Sequence, residues 1–452
     1  MQHLTIWDLV LTPIYLGILI YFAKRYRDKK YPKGNVLRRY YLPGLLAKFC
    51  GAIIIALIYE YYYQGGDTYN YFAHSKIINS SFSDSFETWV QLIFRSSPEN
   101  NPKLYEYASQ LEWYNDPASY TVAVAGSILG LLNGTTYIPI ALMFAFIAYT
   151  GIWAMYKAFV QIYPVLHKEL AIAFLFIPST VIWGSAIFKD TICMFGLGWL
   201  TYCTFRIFVN RDFSIKNILM LGFSFYLVAT VKLYILLAFV PALSLWLLLT
   251  YSHKIKSGGM RFLVNLIFIG VTVGGFYLFT TVFATEMNRY SLENISKTAD
   301  ITRDWIMYAS GDEGSSYNIG EFDGSIGSTL QKLPAGIIVT LFRPFPWEIS
   351  KVIVALSALE ALAFFYLTLK IILDRKIKLR KFMKNPTVIF CLTFSLIFAF
   401  AVGVSSGNFG ALSRYKIPCL PFYGAFLMIC LYYTKASFAA KVHSNKLKNL
   451  PA

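Results

Sequence analysis

Charge is the scarce commodity in this sequence. Of its 452 residues only 14% are Asp, Glu, Lys or Arg, against about 25% in an ordinary soluble domain. So few charges cannot cover a soluble globule of this length. Its 56% hydrophobic and 18% aromatic content excludes disordered and fibrous classes. Cysteine is sparse too. Cys50, Cys193, Cys203, Cys391, Cys419 and Cys430 form no C-x-x-C pair, so neither a zinc site nor a disulfide framework is expected. A Walker A loop, a dinucleotide fingerprint, an H-E-x-x-H helix and a G-x-S-x-G elbow are all missing. No internal repeat is found, which argues against repeat-built transporter folds.

What the chain has instead is long apolar runs. They predict an all-α, polytopic integral membrane protein with a single transmembrane domain over 1–452. Eleven spans are expected, near 5–23, 43–64, 136–157, 169–186, 190–206, 217–231, 233–251, 262–284, 351–373, 387–405 and 417–434. Residues 1–8 have no basic n-region and no A-x-A site follows, so the first run reads as a retained anchor. The net charge of +17 suggests nucleic acid only if it is left unresolved by side. The loops 24–41, 157–169, 206–216, 252–261 and 370–384 and the tail 435–452 hold 27 of the 41 Lys and Arg, with four acids. The opposite loops hold 13 Lys and Arg against 19 acids. By the positive-inside rule the first set is cytoplasmic. The N-terminus is then outside and the C-terminus inside, as suits a bacterial inner membrane. No nucleic acid is implied, and the basic loops suit anionic lipid headgroups.

Two extracytoplasmic loops are long, 65–118 and 285–350. Stretches 86–94 and 287–307 within them are amphipathic and suit the interface. The apolar stretch 120–132 is too short to span and is expected as a re-entrant or interfacial helix. The Gly-rich stretch 309–328 reads as an outer loop.

Candidate chemistry gathers on the expected outer side. Asp67 follows Gly65-Gly66 where the second span leaves the membrane. There a carboxylate can accept a proton from a hydroxyl. Tyr69, Tyr71 and His74 follow within two turns and suit sugar rings. The plainer alternative is that Asp67 caps a helix over 68–79. Lys189-Asp190 lies in a tight turn between expected spans, where a local pair is the alternative role. Lys232 interrupts an apolar stretch and could simply snorkel. Arg343 and Glu348 are held in the stiff segment Phe342-Arg343-Pro344-Phe345-Pro346-Trp347-Glu348, where a guanidinium could grip phosphate or serve as an interfacial anchor. Arg414 and Lys416 precede the last span and are phosphate ligands or anchors. Glu60 is placed near the outer lip. Glu360 is mid-span, where a hydrogen-bonded core acid is the favoured reading. One carboxylate among several cations suits an anionic, lipid-linked substrate whose phosphate departs.

Gly66-Asp67-Thr68-Tyr69-Asn70-Tyr71, just after a span and at the head of a large outer loop, resembles the GT-C superfamily of membrane glycosyltransferases. The resemblance covers most of the chain by topology, and the stretches 178–190 and 414–418 look like segments of bacterial members. It implies an enzyme of cell-envelope polysaccharide biosynthesis. Such an enzyme moves a hexosyl or pentosyl group from a polyprenyl-phosphate donor to a glycan, lipid or protein acceptor. Asp67 would be the catalytic base of an inverting transfer, and Lys189, Lys232, Arg343 or Arg414 would hold the departing phosphate. No cofactor is firmly implied, and a divalent metal stays open. The Gly-Asp-x-x-x-Tyr pattern is also similar to polysaccharide polymerases of the Wzy and EpsG kind. A lipid-linked glycan transporter or flippase without covalent chemistry is the remaining alternative.

Overall fold

The computed structural model describes residues 3–252, 301–306, 315–320, 326–349, 351–374 and 379–433, with a few isolated positions between. The expected span 262–284, the amphipathic stretch 287–307 and the Gly-rich loop 309–328 lie wholly or largely outside the described residues, as does the tail 435–452. Among the described residues the chain is helical throughout, with one isolated β-bridge between Ser316 and Asn408. Among the described residues seven helices are long and apolar enough to cross a membrane, or eight if a bent pair counts as one span. The polytopic membrane architecture is therefore as expected, but the eleven spans are not all present as separate helices.

The chain divides into two compact units, residues 1–161 with 180–233, and residues 162–179 with 234–452. The first unit opens with α1 (Ile6–Lys30), whose basic end carries Arg27, Lys29 and Lys30. Its start is fixed by Asp8, which is 1% exposed. One carboxylate oxygen takes the Thr5 N–H at 2.8 Å, and the other takes the Ile138 N–H at 2.8 Å. A single acid thus satisfies orphan donors at two helix starts, a role that typically contributes about 1 kcal/mol at each.

Helix α2 (Arg38–Leu57) runs into a π-turn at Ile58–Tyr62. A short loop leads to α3 (Asp67–Asp84), and the small helices α4 (Phe86–Ile93) and α5 (Pro102–Ala108) follow. Phe86–Ile93 realises the expected amphipathic stretch. Leu92 is buried and Phe86 is 63% exposed. The helix expected over 120–132 is present as α6 (Pro117–Gly130). It packs on α3 through Ser75 Oγ, which donates to the Ala123 carbonyl at 2.9 Å, and through Asn79 Nδ2 to the Ser127 carbonyl at 3.0 Å.

Helices α7 (Tyr137–Ile162) and α10 (Lys189–Phe208) cross at Gly151 and Gly198. A Cβ on Gly198 would run into the Gly151 backbone, so the crossing depends on small residues.

The expected span 169–186 does not form one helix. It is divided into α8 (His167–Leu175) and α9 (Pro178–Trp183) because Pro178 ends one helical run and starts the next. The break expected between spans 217–231 and 233–251 is present: the helical stretch α11 (Ile215–Ser252) is two helices that meet at a kink, where Lys232 has non-helical backbone, φ −149° and ψ 78°.

In the second unit, α12 (Leu333–Phe342) packs on α13 (Val352–Leu373) and on α14 (Pro386–Ser406). Gly403 approaches the Gly336 backbone closely, and Thr340 Oγ1 donates to the Ala399 carbonyl at 2.7 Å. The last expected span is a bent pair, α15 (Phe409–Tyr415) and α16 (Leu420–Tyr433), whose axes differ by 71°.

Candidate functional site

In the first unit the site is built around the start of α3. Gly66, at φ +118°, is the cap residue, and Asp67 is the first helical residue. The capping role is therefore taken by the glycine, which accepts a left-handed φ that L side chains rarely adopt. A carboxylate in a first helical turn also faces favourable N–H dipoles. Asp67 is half-buried. At a spacing of four and then three residues, Asp67, Tyr71 and His74 share one stripe of α3.

Trp113 lies against that stripe. Its ring centroid is 4.8 Å from Tyr71 and 4.8 Å from His74. His74 is 6% exposed, and among the described residues its Nδ1 has no partner. Burial pushes the His74 imidazole below the usual histidine range, and the charge of Glu112 opposes that only in part.

Three residues beyond the indole is Asp116, which starts α6 and takes the Ala118 N–H at 3.1 Å. Lys189 Nζ reaches the same carboxylate at 3.4 Å. Burial alone would raise the Asp116 carboxyl. The Ser119 hydroxyl, the Lys189 charge and the Ala118 N–H outweigh it and hold the group below the usual carboxylate range. Tyr59 joins the two helix starts: a Cβ on Gly66 would meet its ring, and its centroid is 5.5 Å from Phe188.

The neighbouring residue, Asp190, is fully buried and pairs with Lys232 at 2.6 Å. Lys189 and Asp190 thus turn to separate distant partners, in place of the local pair that was one expectation. Lys232 is 8% exposed and does not snorkel. Tyr69 is 2% exposed, stacked on His3 at 4.2 Å, with its hydroxyl donating to the Ala56 carbonyl at 3.2 Å. It is part of the core, so it cannot offer a face to a sugar. Tyr71 is 4% exposed, with its ring tilted against Trp113. Glu60 accepts the His3 N–H at 3.1 Å.

The remaining candidates belong to the second unit. Arg343 Nε donates to both Glu348 oxygens, at 3.0 and 3.1 Å, and its guanidinium lies 5.2 Å from the Phe409 ring centroid. Glu348 also takes the Phe345 N–H at 2.8 Å. Burial would raise the Glu348 carboxyl, but the Arg343 hydrogen bond, the Phe345 N–H and the Arg343 charge hold it low. Arg343 is therefore neutralised locally. Arg414 is half-buried at the end of α15. Lys416 is fully buried in the break between α15 and α16, which excludes the expected surface anchoring.

Sequence reasoning had passed over Trp113, Asp116 and Lys48. Trp113 and Asp116 stand in a polar-aromatic stretch of the first long loop, Trp113-Tyr114-Asn115-Asp116-Pro117, whose Asp-Pro step is a helix-start signal. Lys48 is 2% exposed and donates to the carbonyls of Thr180 at 2.7 Å and Gly184 at 2.8 Å. A lysine inside an apolar run was its only signal. Among the described residues no group of three or more His, Cys, Asp or Glu could hold a metal ion. Comparison with protein-family models, curated proteins and solved structures finds no match to this chain.

Proposed function

We propose that this chain is a membrane glycosyltransferase that moves a sugar from a polyprenyl-phosphate-linked donor to an acceptor hydroxyl on the extracytoplasmic side. The supporting observation is the stripe Asp67–Tyr71–His74 with Trp113 laid against it. It puts a carboxylate on the helix whose buried Tyr71 and His74 back the half-buried indole of Trp113, a ring that can stack on an acceptor sugar while the carboxylate takes its proton.

In this reading Asp67 takes the acceptor proton, and the acceptor oxygen bonds to the anomeric carbon from the face opposite the phosphate. The bond from that carbon to the phosphate oxygen breaks, and its electron pair leaves on the polyprenyl phosphate. Lys189 is the cation best suited to receive the phosphate in this unit. Its 3.4 Å contact to a half-exposed Asp116 is loose enough to be exchanged. Lys232 is not suited, because Asp190 already holds it in the core.

Asp67→Asn in membranes supplied with a radiolabelled polyprenyl-phosphate sugar is expected to reduce transfer by a factor of about 100 or more, at unchanged protein level. Full activity in that variant would remove Asp67 as the base. A ladder of chain lengths in place of a single added sugar would identify a polymerase.

A further inference from the structure

The second unit holds a second polar centre, independent of the glycosyl-transfer reading. Glu360 lies within α13, and Lys416 lies in the break between α15 and α16. They are 7% and 0% exposed. The helices that carry them pack together. Thr368 and Tyr423 share a hydrogen bond of 2.8 Å between their hydroxyl oxygens, and Phe364 stacks edge-on to Tyr423 at 5.7 Å. Glu360, Phe364 and Thr368 recur every four residues along one face of α13. Lys416 directly follows α15, which packs on α13, and the charges of Glu360 and Lys416 act on each other.

Each of these side chains is left incomplete. Glu360 Oε2 takes the Ser179 N–H at 2.9 Å, but among the described residues Oε1 has no partner. Among them Lys416 Nζ has none either, and no direct bond joins the two. An ammonium only donates and a carboxylate only accepts. Two orphaned buried charges are costly unless something satisfies both. The occupant that completes them must accept from Lys416 and donate to Glu360. A hydroxyl oxygen does both, whereas a metal cation or an anion does only one.

The neighbours suit such an occupant. Cys419 Sγ turns away to the Lys416 carbonyl at 3.1 Å, and the break frees backbone that a continuous helix would have used.

We infer that Glu360 and Lys416 form an internal binding site for one hydroxyl group, donated to Glu360 Oε1 and accepting from Lys416 Nζ. Its source is either a water molecule or the hydroxyl of a lipid or glycan.

The test is cryo-electron microscopy of the full chain in lipid nanodiscs, at a resolution that shows ordered water. Non-protein density within hydrogen-bond reach of both atoms is expected. A compact density identifies water, and an elongated one identifies an organic hydroxyl. Radiolytic footprinting in ¹⁸O-water separates the same two sources. Oxygen-18 on the buried Cys419 marks water, and an unlabelled Cys419 beside elongated density marks the organic group. Lys416→Met is expected to lose the density. A direct Glu360–Lys416 pair, a dry gap in the wild-type map, or density that persists unchanged in Lys416→Met would overturn the site.

Discussion

Asp190 has no solvent exposure, so its charge depends on Lys232 at 2.6 Å. Removing one partner of a buried pair typically costs about 3–5 kcal/mol, while replacing both with neutral groups is often near neutral. Asp190→Asn and Lys232→Met are each expected to lower the unfolding temperature in detergent sharply. The double variant is expected to recover most of that loss. Simple addition of the two losses would show that the residues do not act as a pair. The pairing itself was not legible in the sequence. Lys189 and Asp190 are adjacent, and adjacency suggested a local bond. Their partners lie 73 and 42 residues away, at distances along the chain that no spacing rule reaches. The charges could be picked out because they interrupt apolar runs. What they touch depends on how helices pack.

At the scale of elements, hydropathy located most spans, because burial in lipid demands an unbroken apolar run. The observed Tyr137–Ile162, Lys189–Phe208 and Pro386–Ser406 lie close to expectation. It failed where backbone rather than composition decides. Residues 167–183 divide at Pro178. The α3 stripe was half legible. Asp67, Tyr71 and His74 stand at helical spacing, but Trp113 enters from a loop about 40 residues on. The α7–α10 crossing gives a sharper test. Gly198→Ala places a methyl group on the Gly151 backbone. Overpacking of this kind costs about 1–3 kcal/mol. The variant is expected to melt earlier than Gly222→Ala, whose added Cβ meets nothing within 4 Å. Equal melting temperatures would mean that the helices can separate at no cost.

For the whole molecule, the distribution of Lys and Arg predicts one orientation, and it can be checked without knowing any substrate. In a Cys50→Ser background, a membrane-impermeant maleimide is expected to label Glu99→Cys in intact cells. Ser214→Cys is expected to react only after the membrane is opened. The reverse pattern would invert every side assigned from the sequence, including the side on which Asp67 works. The composition made the membrane class plain and the charge ledger supplied an orientation. The division into two compact units was not visible, since nothing in composition shifts at residue 161 or 233.

Asp8 also sets an order of events during synthesis. Its carboxylate serves an N–H that lies 130 residues further along the chain. When α1 first leaves the ribosome, that donor has not yet been made. Until Ile138 emerges, the first helix carries an acid with half of its work outstanding. The start of α7 completes it, so α1 is locked in place only once α7 has begun.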